Sequence, residues 1–318
     1  MNSSVIEKTR QPEGRHAGLL EAQQTVNEVL LGKEQQVRLA FCGLLSRGHL
    51  LIEDVPGVGK TTLANAMART VGSDYQRIQF TSDLLPADIL GVSIYRRDAE
   101  SFEFHRGPIF SQIILADEIN RATPKTQSAL LEGMAEGQVT IENQTHTLPR
   151  PFFVLATQNP LDLIGTFPLP ESQLDRFLLS IKLGYPDKEA ERKLLMSEDR
   201  AGMLERIKPC LSPEDVMALQ EDSEKTFVSE DLLDYIQSLV HETRDPRWFE
   251  TGLSPRAGLA LLRLSRAYAF LDQRDYVIPE DVQAVFPGLG RHRLIASSGF
   301  DSTPDEQIAE LMRQVPIP

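Results

Sequence analysis

The first half of the chain alternates between short apolar runs, typical of buried strands, and longer stretches in which apolar residues recur at helical spacing. Leu50–Ile52 form the first short run, and a helical pattern follows it at Leu63, Ala64, Met67, Ala68 and Val71. Four more candidate strands are YQRIQF from Tyr75, SQIILA from Ser111, FFVLATQ from Phe152 and FLLSIKL from Phe177. Strands of this kind, separated by helices and turns, predict an α/β domain with a mainly parallel sheet covered by helices on both faces.

Two further segments show the alternation of apolar and polar residues that predicts β-hairpins. VSIYRRDAESFEFH alternates around a polar turn at Arg97–Ser101, and QVTIENQTHTLP alternates around Glu142–Thr145. Asn143 suits the tip of the second hairpin, because asparagine tolerates the backbone angles of tight turns. Both hairpins are predicted to be insertions into the α/β framework.

After Tyr185 the strand-like runs give way to a series of helix starts, each with a capping or first-turn residue before a helical apolar pattern. They are Pro186-Asp187, Ser212-Pro213-Glu214, Ser229-Glu230-Asp231, Ser254-Pro255 and Pro279-Glu280-Asp281. Along PRAGLALLRLSRAYAFLDQ, we expect one broad buried face that includes Leu259, Leu262, Ala267 and Phe270. The pattern divides the chain into a flexible N-terminus over 1–18, an α/β domain over 19–185 and an all-helical domain over 186–318.

The run HLLIEDVPGVGKTTLANAMA, from His49, places a glycine-rich loop between a predicted strand and the helix that follows it. Backbone N–H groups of such a loop converge on phosphate, and the helix N-terminus adds a favourable dipole. Lys60 is expected to reach the β- and γ-phosphates, and the Thr61 hydroxyl to hold Mg²⁺. The predicted nucleotide contacts are Asp54, Val55, Pro56, Gly57, Val58, Gly59, Lys60, Thr61 and Thr62.

Asp54 departs from the usual pattern of this loop, G-x-x-x-x-G-K-[ST], which begins with glycine. Aspartate tolerates unusual φ angles better than most residues, so we expect the turn to keep its shape. The phosphate-proximal residues Gly59, Lys60 and Thr61 all match the pattern. The departure therefore leaves the prediction of a nucleotide site in place.

Two other predicted strands end in polar residues suited to phosphate chemistry. In IILADEINRA the strand ends at Asp117, expected to hold Mg²⁺, and Glu118, expected to polarise water as a general base. Two acidic residues capping the next helix are the alternative. In FVLATQNP the strand ends in Gln158 and Asn159, at the sheet edge where open α/β sheets bind ligands. The Asn159 amide can hydrogen-bond the attacking water and the γ-phosphate, although Asn before Pro also starts ordinary turns.

Two arginines are candidates for stabilising the charge that develops on a transferred phosphoryl group. Arg176 lies in LPESQLDRFLL just before the last predicted strand, and Arg256 in GLSPRAG opens a helix of the second domain. Arginines in solvated helix turns are the alternative for each. If Arg176 acted from a neighbouring subunit, hydrolysis would depend on assembly, because only an occupied interface would complete the electrostatic clamp.

Composition and charge narrow the partners and the compartment. The chain of 318 residues is 41% hydrophobic and 25% charged, as in globular proteins, and its net charge of −13 disfavours a nucleic-acid partner. It has no run of about 18 apolar residues, and its polar N-terminus lacks the apolar segment of a signal peptide. Cys42 and Cys210 lie far apart in the sequence. These features predict a cytoplasmic protein that does not insert into membranes.

The runs DVPGVGKTTLA, DEINRA, ATQNP, LPESQLDRF and SPRA together resemble the MoxR family of AAA+ ATPases. The motifs occur in the family's order, and the resemblance covers the chain from about Leu31 to Arg293. It implies a five-stranded α/β core, a helical lid domain and a homo-oligomeric, usually hexameric, ring. It also implies the two Walker motifs at Lys60, Thr61, Asp117 and Glu118, a sensor at Asn159, a finger at Arg176 that enters the neighbour's site, and a second sensor at Arg256.

The resemblance extends to the inserted hairpins and to the biological role. The hairpin around Arg96–Phe104 resembles the helix-2 insert of this clade, and that over Gln138–Leu148 resembles its pre-sensor insert. LLGKEQQV, from Leu30, resembles the segment that lines the adenine pocket. A family member is expected to use ATP and Mg²⁺ to remodel or mature protein complexes, with a protein client and a separate von Willebrand factor A-domain partner.

Three other functions remain open at this point. A magnesium-chelatase-type motor subunit shares the clade's architecture, and a nucleic-acid motor resembling the minichromosome-maintenance helicases would need basic hairpin tips. The Glu142–His146 tip has no Lys or Arg, whereas the first hairpin carries Arg96 and Arg97. A nucleotide-gated scaffold would bind nucleotide without releasing phosphate. GTP fits the loop as well, although the chain has no N-K-x-D guanine-reading motif, so ATP is favoured.

Overall fold

A computed structural model of the chain describes residues 12–98, 100–160, 165–196, 200–297 and 303–317. Within these ranges the strands are β1 (Leu50–Glu53), β2 (Tyr75–Gln79), β3 (Gly91–Arg96), β4 (Ser101–Arg106), β5 (Ile113–Asp117), β6 (Gln138–Ile141), β7 (Gln144–Thr147), β8 (Phe153–Gln158) and β9 (Leu179–Ile181). The helices are α1 (Pro12–Val29), α2 (Glu34–Leu45), α3 (Lys60–Thr70), α4 (Pro86–Leu90), α5 (Pro124–Glu136), α6 (Glu171–Leu174), α7 (Lys188–Met196), α8 (Arg200–Arg206), α9 (Pro213–Glu224), α10 (Glu230–Glu242), α11 (Pro255–Leu271), α12 (Pro279–Gly290) and α13 (Pro304–Gln314).

The central sheet has five strands in the order β2-β5-β8-β1-β9, and every neighbouring pair is parallel. Successive residues of β1 point to opposite faces: Leu50 and Ile52 belong to one hydrophobic cluster and Leu51 belongs to the other. Because both faces are buried, the central strands β1, β5 and β8 read as continuous apolar runs in the sequence. The structure confirms the predicted α/β fold with a five-stranded parallel sheet.

The register of the sheet brings the polar ends of its strands together. Glu53 at the end of β1 is paired with Gln158 of β8, and Gln79 at the end of β2 is paired with Asp117 of β5. The carboxyl ends of parallel strands meet at one edge of a sheet, where open α/β sheets bind ligands. The fold therefore gathers the motifs of the sequence at this edge.

The two predicted hairpins are present as the antiparallel pairs β3–β4 and β6–β7. Glu142 and Asn143 form the tip of the second hairpin with φ of 47° and 68°, the left-handed backbone that tight hairpin turns require. The two hairpins contact each other, since the rings of Phe104 and His146 stack with centroids 4.6 Å apart. Side chains on the first hairpin are exposed, among them Tyr95 and Phe102.

The elements that follow β9 in the described residues are helices α7 to α13. Three predicted helix starts are capped as expected, because Ser212, Ser229 and Ser254 each accept a backbone N–H from the third residue of the helix. One hydrophobic cluster joins α1, α2 and α3 to helices α9 to α13. The helical part therefore packs directly on the α/β part. Every helix in the described ranges is too short or too polar to serve as a membrane span.

Two details of the helices differ from the sequence analysis. Leu259 is 65% exposed, so its predicted place on the buried face of α11 is wrong. The buried face instead follows Ala257, Ala260, Leu261, Leu264, Ala267 and Leu271, and Leu259 lies on the other side of the helix. Leu262 and Phe270 are partly buried against the core, as expected. At the N-terminus, α1 begins at Pro12, so residues 12–18 of the predicted flexible segment are helical; residues 1–11 lie outside the described residues.

His49 at the start of β1 is fully buried and makes two hydrogen bonds that require a neutral ring. Its Nδ1 accepts the Val154 backbone N–H at 3.1 Å, so Nε2 carries the hydrogen and donates to the Met134 carbonyl at 3.1 Å. Burial lowers the pKa of His49 to about 4, and burial beside Arg293 lowers the pKa of His292 to about 3. Both pKa values are below that of an unfolded histidine, so the unfolded chain binds more protons between about pH 6.5 and pH 4.

We therefore expect the free energy of unfolding to fall as the pH drops from about 6.5 to 4, by on the order of 3 kcal/mol for each buried histidine. Urea unfolding across this range should show a shallower fall for His49→Gln than for the unchanged chain. His241→Gln, at an exposed histidine, is the matched control and should keep the full slope. Identical pH profiles for all three proteins would contradict the assignment.

Candidate active site

The glycine-rich loop leads directly from β1 into α3. Gly57 and Gly59 have φ of 87° and 102°, a backbone region that residues with a Cβ rarely adopt. A Cβ on Gly59 would lie 2.7 Å from Leu30 Cδ1, so the position also needs glycine for space. Helix α3 begins at Lys60, and the N–H groups of its first turn have no partner within the helix. The loop therefore presents backbone donors and the positive end of a helix dipole to an anion.

Lys60 lies at the base of this loop, where its ammonium Nζ donates to the backbone carbonyl of Asp54 at 2.6 Å. Burial lowers the pKa of Lys60, and the nearby carboxylates of Asp117, Asp54 and Glu118 oppose that shift. A carbonyl oxygen and a phosphate oxygen are alternative acceptors for the same ammonium. The Lys60 ammonium is thus positioned to exchange the Asp54 carbonyl for a phosphate oxygen.

Asp54 fits the loop for a different reason from the one expected. It is not among the residues with positive φ, so its tolerance of left-handed backbone is not used. Its buried carboxylate instead accepts two backbone N–H groups, from Val55 to Oδ1 at 2.8 Å and from Gly184 to Oδ2 at 2.6 Å. The side chain that replaces the usual glycine therefore ties the loop to the segment after β9.

Asp117 at the end of β5 is held from two sides. The Thr157 hydroxyl on β8 donates to Asp117 Oδ1 at 2.7 Å, and the Arg77 guanidinium on β2 pairs with Oδ2 at 2.6 Å. Thr157 Oγ1 also accepts the backbone N–H of Glu118 at 2.9 Å. One buried hydroxyl thus fixes the side chain of the first acidic residue and the backbone of the second.

Glu118 occupies left-handed backbone, with φ of 56° and ψ of 50°. Such a conformation costs about 1–3 kcal/mol for a residue other than glycine and is concentrated at functional sites. Its Oε2 receives the Arg121 guanidinium at 2.8 Å and the Gln79 amide at 3.3 Å. The surrounding contacts therefore hold Glu118 in a strained backbone conformation, in which its carboxylate points away from the strand direction of β5.

These groups line one cavity of about 390 Å³ at the carboxyl edge of the sheet. Its lining residues are Pro56, Gly57, Gly59, Lys60, Thr61, Thr62, Arg77, Gln79, Asp117, Glu118 and Asn159. The structure thus brings together the predicted phosphate loop, the two acidic residues and the amide of Asn159. Asp54, Val55 and Val58 belong to the same loop but do not line the cavity.

The two candidate arginines do not line this cavity in a single chain. Arg176, which follows α6, is half-buried and donates from Nη1 to the Leu131 carbonyl of α5 at 2.6 Å. Arg293 anchors the same segment, since its guanidinium pairs with Asp175 at 2.7 Å and donates to the Phe177 carbonyl at 2.7 Å. Arg256 is exposed in the first turn of α11. A role for either arginine would need a neighbouring subunit or a movement of the helical part.

The donor set at the cavity fits a magnesium ion. Thr61 supplies a hydroxyl and Asp117 a carboxylate, and both are hard oxygen ligands that line the same space. Mg²⁺ is normally bound by one or two carboxylates together with substrate phosphates and water. Two protein oxygens beside a phosphate loop match that requirement.

The sequence analysis missed three residues of this site: Arg77, Gln79 and Thr157. Arg77 and Gln79 alternate with buried Ile78 along β2, a signal that marks one polar strand face. Nothing in the sequence shows that this face points at Asp117 and Glu118, because that depends on β2 lying next to β5. Thr157 reads as part of an apolar strand and is recognisable only from its contacts.

Comparisons with known proteins agree with this geometry. Residues 49–179 match the model of the ATPase family associated with various cellular activities (AAA), and residues 241–311 match that of the AAA lid domain. The chain is 44% identical to Chaperone MoxR1 of Mycobacterium tuberculosis over 297 residues, 90% of this chain and 78% of that protein. It is also 44% identical to Uncharacterized protein YeaC of Bacillus subtilis (strain 168) over 309 residues, 96% of this chain and 97% of that one.

A solved structure extends the likeness to three dimensions. The crystal structure of a protein from Cytophaga hutchinsonii superposes with a TM-score of 0.86 at 39% identity and covers 96% of each chain. The match includes the helical part as well as the sheet. With its phosphate loop, acidic strand end and helical lid in this arrangement, the chain belongs to the MoxR family of AAA+ ATPases.

Proposed function

We propose that this protein is a Mg²⁺-dependent ATPase that hydrolyses ATP at a subunit interface and uses the energy to remodel or mature protein complexes. The observation that carries the proposal is the single cavity that gathers Lys60, Thr61, Asp117, Glu118 and Asn159. Each residue type matches a separate need of phosphoryl transfer, from binding phosphate to activating water.

The loop and the first turn of α3 bind the phosphates of ATP. The N–H groups around Gly59 and Thr61 donate to the phosphate oxygens, and the Lys60 ammonium moves from the Asp54 carbonyl to the β- and γ-phosphates. Thr61 and Asp117 would hold Mg²⁺, which neutralises charge on the phosphates when it is bound. Arg77, now paired with Asp117, would have to yield part of that carboxylate.

Hydrolysis then needs a base, a positioning group and a positive charge opposite the leaving phosphate. Glu118 accepts a proton from water as the water oxygen bonds to the γ-phosphorus and the bond to the β-phosphate oxygen breaks. Asn159 orients the water and the γ-phosphate. Arg176 of an adjoining subunit stabilises the charge that spreads over the transferred group, and Arg256 responds from the lid.

Contact between neighbouring subunits is supported by where Arg176 lies, and a hexameric ring is what membership of the MoxR family implies. Arg176 is absent from the cavity of its own chain, and its segment is fixed by Arg293 rather than left free to swing inward. A finger that lies outside its own site can act at a neighbour's. Head-to-tail contacts of this kind give a closed ring when the rotation between neighbouring subunits closes.

A protein client fits the inserted hairpins better than a nucleic acid does. Arg96 on the first hairpin is paired with Asp98 at 3.4 Å and with Glu103 at 3.6 Å, so its charge is compensated. Exposed Tyr95 and Phe102 offer apolar contact area instead. The hairpin therefore favours a protein client. We also propose a cytoplasmic location and a separate von Willebrand factor A-domain partner, and both rest on membership of the MoxR family.

Calorimetry with Mg-ATP, paired with a phosphate-release assay, tests the proposal. We expect binding and release by the unchanged chain, and for Lys60→Ala an affinity lower by on the order of 10- to 100-fold, because an ammonium–phosphate contact is lost. Lys208→Ala, at an exposed lysine far along the chain, is the control and should bind normally. The absence of ATP affinity in the unchanged chain would refute the proposal.

A further inference from the structure

The segment that connects the sheet to the helical part is held by two charged side chains, one from the phosphate loop and one from the turn between α1 and α2. This linker, residues 182–187, runs from β9 to α7. The Gly184 N–H donates to Asp54 Oδ2 at 2.6 Å, and the next residue's carbonyl, on Tyr185, accepts from Lys33 Nζ at 2.7 Å. Two consecutive backbone groups are thus fixed, one by an anion and one by a cation.

Both charged side chains are unusually deep for their type. Asp54 is 8% exposed and Lys33 is 6% exposed, whereas the Tyr185 side chain is 77% exposed. A buried charge is costly unless it is hydrogen-bonded. The linker's backbone groups supply hydrogen bonds to both charges, and the two charges in turn fix the linker. Leu183 of the linker packs into the hydrophobic core. The Tyr185 side chain faces outward, and at Gly184 and Tyr185 it is the backbone that the two charged groups hold.

The same residue that holds the linker also touches the phosphate-binding lysine. Asp54 accepts Gly184 N–H on its carboxylate, while its backbone carbonyl accepts Lys60 Nζ. When Lys60 turns to phosphate, Asp54 loses that partner. Lys33 lies in the segment next to Leu30, whose Cδ1 fills the space beside Gly59. Both residues that hold the linker therefore lie next to parts of the phosphate loop.

We propose that Asp54 and Lys33 form a linker clamp that transmits phosphate occupancy of the loop to the helical part. They are positioning residues rather than catalytic ones, since neither lines the nucleotide cavity. Aspartate stands at the loop's first position because the clamp needs a carboxylate there. The clamp rests on the proposed ATPase function, whose cycle it couples to movement of the lid.

Asp54→Gly is the sharpest test, because it restores the usual loop pattern and removes the carboxylate that holds Gly184, together with its local contact to the Val55 N–H. If aspartate were merely tolerated, glycine would be neutral. The clamp predicts that ATP affinity stays within about threefold, because Gly59, Lys60 and Thr61 remain. Turnover should fall by on the order of 10-fold, so kcat changes while KM does not.

Hydrogen exchange in the peptide covering residues 182–187 is the second measurement. Its change on addition of nucleotide distinguishes the clamp from a purely structural contact, which would not respond to nucleotide. In the unchanged protein, the Gly184 N–H should be protected, and its protection should change on addition of Mg-ATP analogue. In Asp54→Gly it should exchange on the order of 10-fold faster and no longer respond to nucleotide. The nucleotide-free arm measures the tether itself, whatever the protein does with ATP.

A second clamp variant and a control variant complete the test. Lys33→Met breaks the other half of the clamp without touching the phosphate loop, so it should reproduce the loss of nucleotide response even if Asp54→Gly folds poorly. Asp187→Ala removes a carboxylate that accepts the Ala190 N–H at 2.7 Å in the same stretch of chain but does not reach the loop. It should keep normal turnover and a normal nucleotide response.

The outcomes separate the clamp from the proposed function. Normal kcat and nucleotide-dependent protection in both Asp54→Gly and Lys33→Met would overturn the clamp while leaving the ATPase in place. Unchanged Gly184 exchange in nucleotide-free Asp54→Gly would also overturn it. A lack of ATP binding by the unchanged protein would instead refute the proposed function, as the calorimetric test shows independently.

Discussion

Glu118→Gln is expected to lower the rate of phosphate release by about 10²- to 10⁴-fold while ATP remains bound. Glutamine has nearly the same shape as glutamate but cannot accept the proton of the attacking water. The strained backbone at Glu118 and its hydrogen bond to Thr157 do not involve the carboxylate, so the loop geometry should survive. Arg121 and Gln79 would lose a charged partner, which affects the resting state more than ATP binding.

The measurement is a phosphate-release assay together with the amount of ATP retained after rapid desalting. We expect retained, unhydrolysed ATP in Glu118→Gln and mainly ADP in the unchanged protein. Glu132→Gln, at an exposed glutamate on the outer side of α5, is the matched control and should turn over normally. A rate within tenfold of normal for Glu118→Gln would show that another group acts as the base.

Arg176→Ala is expected to lower turnover by about 10³-fold or more, with ATP affinity and assembly close to normal. The guanidinium is the planar donor that matches the spreading charge of a transferred phosphoryl group. Within the described part of its own chain the guanidinium donates to the Leu131 carbonyl, so the loss should cost little stability, about 1 kcal/mol. The effect on rate should therefore far exceed the effect on folding.

Arg176→Lys separates charge from geometry, since lysine keeps the charge but lacks the two-pronged donor. We expect it to recover only a small part of the lost rate. Arg192→Ala, at an exposed arginine on α7, is the control for loss of a positive charge. Steady-state rates, calorimetry and light scattering on the same samples would settle the case, and normal turnover in Arg176→Ala would remove its assignment as the finger.

Local motifs account for the parts of the site that the sequence predicts well. The phosphate loop depends on Gly57, Gly59 and Lys60, which lie within a few residues of one another, so their geometry follows from local backbone preferences. Asp117 and Asn159 are predictable as ends of apolar strands. The five strands and both hairpins are visible in the pattern of apolar residues for the same local reason.

The features that the sequence does not reveal depend on which elements become neighbours. Thr157 acts through a contact between β8 and β5, and Gln79 acts through a contact between β2 and β5. Leu259 fits an apolar helix pattern, but only packing decides which arc of α11 is covered. Asp54 looks like a mere departure from a motif until Gly184 is seen beside it.

The most direct test of the account is to mix the two inactive variants, Glu118→Gln and Arg176→Ala, under conditions that let subunits exchange. If Arg176 acts on the neighbour's site, about a quarter of the interfaces in a random equal mixture combine an intact Glu118 with an intact Arg176. Phosphate release should then rise well above that of either variant alone. A mixture no more active than its components, despite confirmed exchange, would contradict a site completed by an adjoining subunit.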